Sequence, residues 1–323
     1  MRIRSQQRFW RPDGFAQMRA WGIACLALIL PGFPGPHAAA QLRPLPEATS
    51  VCPMPGMAPD SERSFTDADL LASYNSQAEL IQTVQASVVV RAKGGPQFGS
   101  KVRDSRPSPA ILTFRAPASL RMTGVVPFSA RRTFDIASDG REFRLLVPDG
   151  KIMRFFVGPV DAPPVSSNPR ENLRPQPIVD ALHWFQARLV SAGAPGGSET
   201  GDVRALNVVL LGPREESRKT ARLEFDLRGG TVSKVDIFDD AQKVVTELHY
   251  SNWQQVPVSG KPGNSICFPK QVLVNQQAQN LQLEIKTMSA ELNGVLAPTQ
   301  FQLTPPRGIP VTRVTRSTGG SHP

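Results

Sequence analysis

The chain is 323 residues long, with 37 Lys and Arg against 27 Asp and Glu, a formal net charge of +10. The basic residues are scattered, with no RGG run and no aromatic-interleaved basic patch, which argues against nucleic acid as a partner. Three cysteines and four histidines, with no CxxC and no Cys/His cluster, argue against a metal site built from those residues, and no cofactor is expected.

Residues 1–40 read as a signal peptide rather than as fold. Arg2, Arg4, Arg8, Arg11 and Arg19 make a basic n-region, residues 21–30 (WGIACLALIL) an apolar h-region, and Pro31, Gly32, Pro34 and Pro36 interrupt it. Ala38 and Ala40 put small residues where a signal peptidase needs them, so cleavage is expected near Ala40/Gln41, with a periplasmic, and in one version outer-membrane-associated, mature chain. The apolar run is shorter than the ~20 residues of a membrane-spanning helix. The segment holds five Arg and one Asp, a net +4, so its removal lowers the formal charge from +10 to +6.

Residues 41–63 form a Pro-rich tether (Pro44, Pro46, Pro53, Pro55, Pro59) with almost no apolar periodicity. Val51 precedes Cys52, and the h-region lies well upstream, so a proper lipobox is lacking. Cys52 and Cys267 are the two cysteines that outlast cleavage, and in an oxidising compartment they could pair. Whether Cys52 is lipidated, disulfide-bonded or free is open at this point, because sequence does not report Cα separation.

Thr66 and Asp69 have the spacing of a capping box, and Leu70, Leu71, Tyr74, Ala78, Ile81 and Val84 recur at three and four, predicting a first helix. The period then changes to two over 87–93, predicting a strand, and further strands follow at 111–114, 120–126 and 131–137. The stretch 134–150 (FDIASDGREFRLLVPDG) is a hairpin signal: Phe134 and Ile136 alternate before Ser138-Asp139-Gly140, and Phe143, Leu145 and Val147 after it. A second turn at Pro148-Asp149-Gly150 returns the chain through 152–157. The loop 159–177 holds six prolines and leads to a predicted helix over 178–192, with Ile178, Leu182, Phe185 and Leu189 as its stripe. Strands are expected at 203–211, 221–227, 231–238, 244–250, 272–274 and 281–288, with Gly229-Gly230 as a further hairpin turn.

The chain carries no GxSxG, HExxH, Walker or GxGxxG signature, and His183 and His249 are the two histidines inside the domain. The acidic pairs Glu215-Glu216 and Asp239-Asp240 fall at turns between strands. No catalytic residue is assigned.

The order of three segments resembles the bacterial lipoprotein-localisation family, the LolA-like periplasmic carriers and LolB-like outer-membrane receptors. They are 112–122 (LTFRAPASLRM) followed by 134–150, then 222–240 (RLEFDLRGGTVSKVDIFDD) followed by 244–253 (VVTELHYSNW), and last 301–311 (FQLTPPRGIPV). The resemblance spans about residues 66–311. It implies a mainly β (α+β) fold, an incomplete, strongly bent antiparallel β-barrel with a helical lid, for which the alternating runs above supply about ten or eleven strands. It also implies a non-enzymatic role in lipoprotein sorting, as a carrier (a chaperone in transport) or a receptor. The carriers place an arginine immediately before the strand-end proline to close the lid; here Ala116 stands there, with Arg115 one residue earlier.

The expected organisation is a signal peptide over 1–40, a tether over 41–63, the LolA/LolB-like domain over 64–305 and a disordered basic tail over 306–323. The expected hydrophobic cavity is lined by Leu112, Phe114, Leu120, Met122, Phe134, Ile136, Phe143, Leu145, Val147, Leu182, Phe185 and Leu189, with Trp184 in the lid. Expected partners are lipid or lipoprotein acyl chains, the outer-membrane surface and envelope proteins. A competing reading is a structural or adaptor module of the cell envelope whose helices fill the sheet and leave no cavity.

Overall fold

A computed structural model describes Cys52 and residues 65–94, 103–126, 131–149, 152–160, 162, 169–190, 199–212, 218–261, 263–277 and 280–315, all within the unit Leu42–Pro323. The signal-peptide segment and, apart from Cys52, the tether lie outside the described residues.

Helix α1 (Asp67–Leu80) begins where the spacing predicts. The Asp69 N–H donates to Thr66 Oγ1 at 3.2 Å, the Thr66 N–H donates to Asp69 Oδ2 at 3.1 Å, and the Thr66 hydroxyl hydrogen-bonds the same carboxylate, holding Asp69 below the usual carboxylate range. Leu70, Tyr74, Gln77 and Ala78 form its buried face. The helix stops at Leu80, short of the apolar spacing through Val84. There the Asn293 amide accepts from the Gln82 and Thr83 N–H groups and donates to Leu80 C=O, steering the chain into β1 (Thr83–Gly94).

The remaining strands are β2 (Arg103–Asp104), β3 (Ser108–Arg115), β4 (Ser119–Val125), β5 (Arg132–Ser138), β6 (Glu142–Asp149), β7 (Ile152–Pro159), β8 (Gln186–Leu189), β9 (Glu199–Thr200), β10 (Val203–Leu211), β11 (Lys219–Asp226), β12 (Thr231–Phe238), β13 (Val244–Pro257), β14 (Ser265–Gln276), β15 (Leu281–Leu292) and β16 (Val311–Arg313). One sheet runs β16-β7-β6-β5-β4-β3-β1-β15-β14-β13-β12-β11-β10-β8. Its two ends do not meet, so the barrel is incomplete, as expected. Among the described residues fourteen strands lie in line, more than the ten or eleven read from periodicity, because short edge strands such as β8 and β16 carry no alternation to detect. Two antiparallel meanders, β3–β7 and β10–β15, are joined through β1, which pairs with both β3 and β15. The centre of the sheet is therefore β1, and the two strands of the 134–150 hairpin, β5 and β6, lie three and four strands from it on the β16 side.

That hairpin forms as its turn residues require. Ser138 pairs with Phe143, Gly140 has φ +90°, and Asp139 Oδ1 accepts from the Arg141 and Glu142 N–H groups at 2.8 and 2.9 Å. Helix α2 (Pro175–Leu182) is a correction: the predicted helix over 178–192 ends at Leu182, and its second half is the edge strand β8 on β10. The 178/182/185/189 spacing fits a helix locally. It is overridden because β10 needs a partner and because α1 offers one to β8: Asn75 Nδ2 donates to Ala187 C=O at 2.9 Å while the Ala187 N–H donates to Asn75 Oδ1 at 2.7 Å.

The C-terminal segment is the second correction. The tail expected to be disordered from 306 is ordered through 315, with 316–323 outside the described residues. Arg115 lies 4.9 Å over the Phe301 ring, Arg121 donates to Gln302 C=O, and Leu303 enters a small core on the outer face with Ala137, Leu146, Phe155 and Val157. Strand β16 then runs parallel to β7, and the Val314 N–H donates to Val157 C=O at 2.8 Å. Gly158 permits that approach, since a Cβ there would stand 2.5 Å from Val314 C=O. This strap buries the outer faces of β5 and β7, which explains why 155–157 reads as a continuous apolar run rather than an alternation. Beneath it, the fully buried Asp135 accepts from Arg121 at 2.6 and 2.7 Å, from Arg132 at 2.6 Å and from Thr123 Oγ1 at 3.1 Å.

Candidate functional site

The inner face of the sheet carries one continuous apolar core into which both helices pack. Register produces it: Ala86, Leu112, Met122, Ile136, Leu145 and Phe156 stand in a row across β1, β3, β4, β5, β6 and β7. A second row runs Phe114, Leu120, Ser138 and Phe143. Leu112, Phe114, Leu120, Met122, Phe134, Ile136, Phe143, Leu145 and Val147 are all buried in this core, and so are Leu182 and Trp184; Phe185 is half-buried against it. Phe134 lies over Gly124, where a Cβ would overlap its ring. Leu189 is not brought to this face: it sits on edge strand β8 and is 43% exposed, because the helix that would have turned it inward ends seven residues earlier.

The lid is the 3-10 turn Pro169–Asn172 followed by α2. Pro175 and Pro177 favour a helix start, where a missing N–H costs nothing, and residues Ile178 to Leu182 are all buried. The part of the Pro-rich loop at 163–168 lies outside the described residues. Four polar anchors hold the lid down. Lys219 Nζ lies 2.9 and 3.0 Å from the two Asp180 oxygens, and the Tyr250 hydroxyl donates to Ala181 C=O at 3.2 Å. Arg154 approaches the buried Glu171 carboxylate at 3.6 Å. The fourth anchor is Arg174. Its buried guanidinium donates to the carbonyls of Ala162, Glu171 and Leu173, each at 3.0 Å, and lies 4.6 Å over the Phe143 ring, while burial pushes its pKa down to about 10. Arg115, the arginine nearest the family's latch position, faces the strap instead.

Trp184 is the hub of an aromatic cluster with Tyr74 at 6.1 Å, Tyr250 at 5.9 Å and Trp253 at 5.2 Å, joining α1, the lid and β13. Burial raises the pKa of both phenols, so they stay neutral. His183 turns the other way, with its ring 4.4 Å from Phe185 and 5.9 Å from Phe114, and its buried Nδ1 has no hydrogen-bond partner. Burial pushes its pKa down to about 4, against a smaller raising effect of Asp180. Arg174, Asn75 and Tyr250 escaped the sequence reading, and Tyr74 was read only as part of the α1 stripe, since a lone polar residue or a tyrosine in an apolar stripe has no signature apart from its tertiary contacts.

Cys52 and Cys267 form a disulfide with their Cα atoms 5.8 Å apart, fastening the tether to β14. Among the described residues no group of three or more His, Cys, Asp or Glu side chains could hold a metal ion, and no helix is long and apolar enough to cross a membrane.

No protein-family model matches the sequence, and no curated protein does. Solved structures do. A putative outer membrane lipoprotein-sorting protein domain from Vibrio parahaemolyticus is 10% identical over 72% of this chain and 95% of its own, with a TM-score of 0.43. A LolA superfamily protein from Nitrosomonas europaea is 12% identical over 72% and 97%, with a TM-score of 0.43. A DUF1329 family protein from Desulfovibrio piger is 14% identical over 72% and 95%, with a TM-score of 0.44.

Proposed function

We propose that this chain is a non-enzymatic, exported binder of acyl chains in the cell envelope, acting as a carrier or receptor in lipoprotein sorting. The observation that supports this reading is the apolar row from Ala86 to Phe156, lidded by a short helix held through polar anchors at its margins. An acyl chain needs apolar area and no hydrogen-bonding site. Burial at about 0.8 kcal/mol per CH₂ gives a fourteen-carbon chain on the order of 10 kcal/mol before entropic costs. Displacing the lid costs part of that, so binding and opening are one event. The buried state of every wall residue on β3–β6 favours the second reading, a structural or adaptor module with a filled core.

Titration with a fluorescent fatty acid, together with lipid analysis of the purified mature protein, separates the two. A carrier or receptor gives saturable binding, competed by a diacylated lipopeptide. The affinity falls at least tenfold in Leu145→Trp, which fills the wall without charge, and further in Leu145→Glu. Absence of both saturable binding and co-purifying lipid in the folded wild type rejects the binder and leaves the adaptor. Undiminished affinity in folded Leu145→Trp and Leu145→Glu proteins rejects this wall as the site.

A further inference from the structure

The outer face of the sheet carries a second feature, unconnected with the lidded core. Where the strap turns into β16, a cleft of about 360 Å³ opens over β6, β7 and β16, floored by Phe155 and Val157 and walled by Leu303. Register places Arg144, Val157 and Arg313 side by side across the three strands, and Leu146, Phe155 and Val311 in the row beside them. Arg144 is ion-paired with Glu142 at 3.1 Å, whereas no described residue pairs with Arg313, so the rim has an uncompensated positive charge beside an apolar floor. β16 also ends the sheet, and all three of its residues are exposed. The Val314 N–H donates inward to Val157 C=O, so strand alternation turns the N–H and C=O groups of Val311 and Arg313 outward, away from β7. At the opposite end, the edge strand β8 is covered by Asn75 of α1.

We propose that β16 and this cleft form a docking edge for an extended segment of another protein, in which an apolar residue and an acidic residue stand two positions apart. Pairing as an added strand satisfies the outward backbone groups of β16. Period-two alternation then sets the apolar side chain beside Val311, over Phe155, and the carboxylate beside Arg313. Ile309, the next residue of the outward-facing set, already donates its N–H to Pro306 C=O at 3.2 Å, which limits the added strand to the length of the cleft.

A short labelled peptide of repeating Val-Thr-Asp-Thr, titrated against the purified protein by fluorescence anisotropy, tests this. Three changes should each weaken binding at least tenfold: Arg313→Glu in the protein, Asn for Asp in the peptide, and N-methylation of alternate peptide residues, which removes backbone donors and keeps the side chains. Arg313 is exposed, so the protein variant leaves the fold intact. Absence of binding at millimolar peptide, or binding indifferent to N-methylation or to Arg313→Glu, overturns the proposal. A dimer that Arg313→Glu dissolves, in the absence of peptide binding, assigns the edge to a second copy of this chain and overturns it as well.

Discussion

His183 is the residue at which burial and function conflict most. It caps the C-terminal end of α2, its imidazole lies between Phe114 and Phe185, and burial pushes its pKa down to about 4 from an ordinary 6.5. The closed lid therefore binds a proton less readily than an open lid that returns the ring to water. Closure is fully favoured above pH 6.5, weakens as pH falls toward 4, and weakens no further below that, with a total effect of at most about 3 kcal/mol. Trp184 emission in a Trp253→Phe background should shift red between pH 7 and pH 5 as the lid loosens, and His183→Gln should flatten that change. Identical profiles in the two proteins would show that His183 does not report on the lid. Asp180, whose carboxylate raises the His183 pKa, is itself held by Lys219, so the opposing effect is already partly spent on the lid's own anchor.

At the scale of elements, the lid is held by a different arginine from the one that the family resemblance points to. Arg174 donates to the Glu171 and Leu173 carbonyls within the lid segment and reaches beyond it to Ala162 C=O and the Phe143 ring, so the side chain that ties the lid down is carried by the lid rather than by the sheet. Lysine keeps the charge but not the planar fork, and Arg174→Lys should lose roughly 2 kcal/mol of closure. Amide exchange across Pro169–Leu182 should quicken by more than tenfold while β3–β6 exchange as before; unchanged protection in the lid would refute the latch. The hairpin and the inner-face residues of β3–β6 were legible because a two-residue period and an Asp-Gly turn are local signals. Helix α1 was legible through its capping box. The 186–189 strand was not, because its spacing also fits a helix and the deciding partners, Asn75 and β10, lie far away in sequence. The strap was missed for a related reason: Pro305, Pro306 and Pro310 mark a tail, and only the Arg115, Arg121 and Val157 contacts turn that tail into part of the sheet.

At the scale of the whole molecule, an open sheet has to manage two ends and a long N-terminal connection. One end is covered by α1, the other carries β16, and the connection is tied down by the Cys52–Cys267 disulfide across a sequence separation of 215 residues. Closing a loop of that length removes so much freedom from the unfolded chain that the entropic stabilisation reaches about 5 kcal/mol, with 2–4 kcal/mol the usual yield. Such a bond persists only in an oxidising compartment, so it is coupled to the proposed export. Protein collected after export should therefore resist thiol-reactive maleimide under denaturing conditions, and protein made in the cytosol without residues 1–40 should take up two labels. The double variant Cys52→Ser, Cys267→Ser should still fold, since Cys267 lies on a strand that is paired along its length to β13, yet unfold at lower urea by an amount corresponding to roughly 2–5 kcal/mol. Two free thiols in the exported protein, or a urea midpoint that the double variant leaves unmoved, would separate the tether from the stability of the domain and remove the physical link between its fold and its destination.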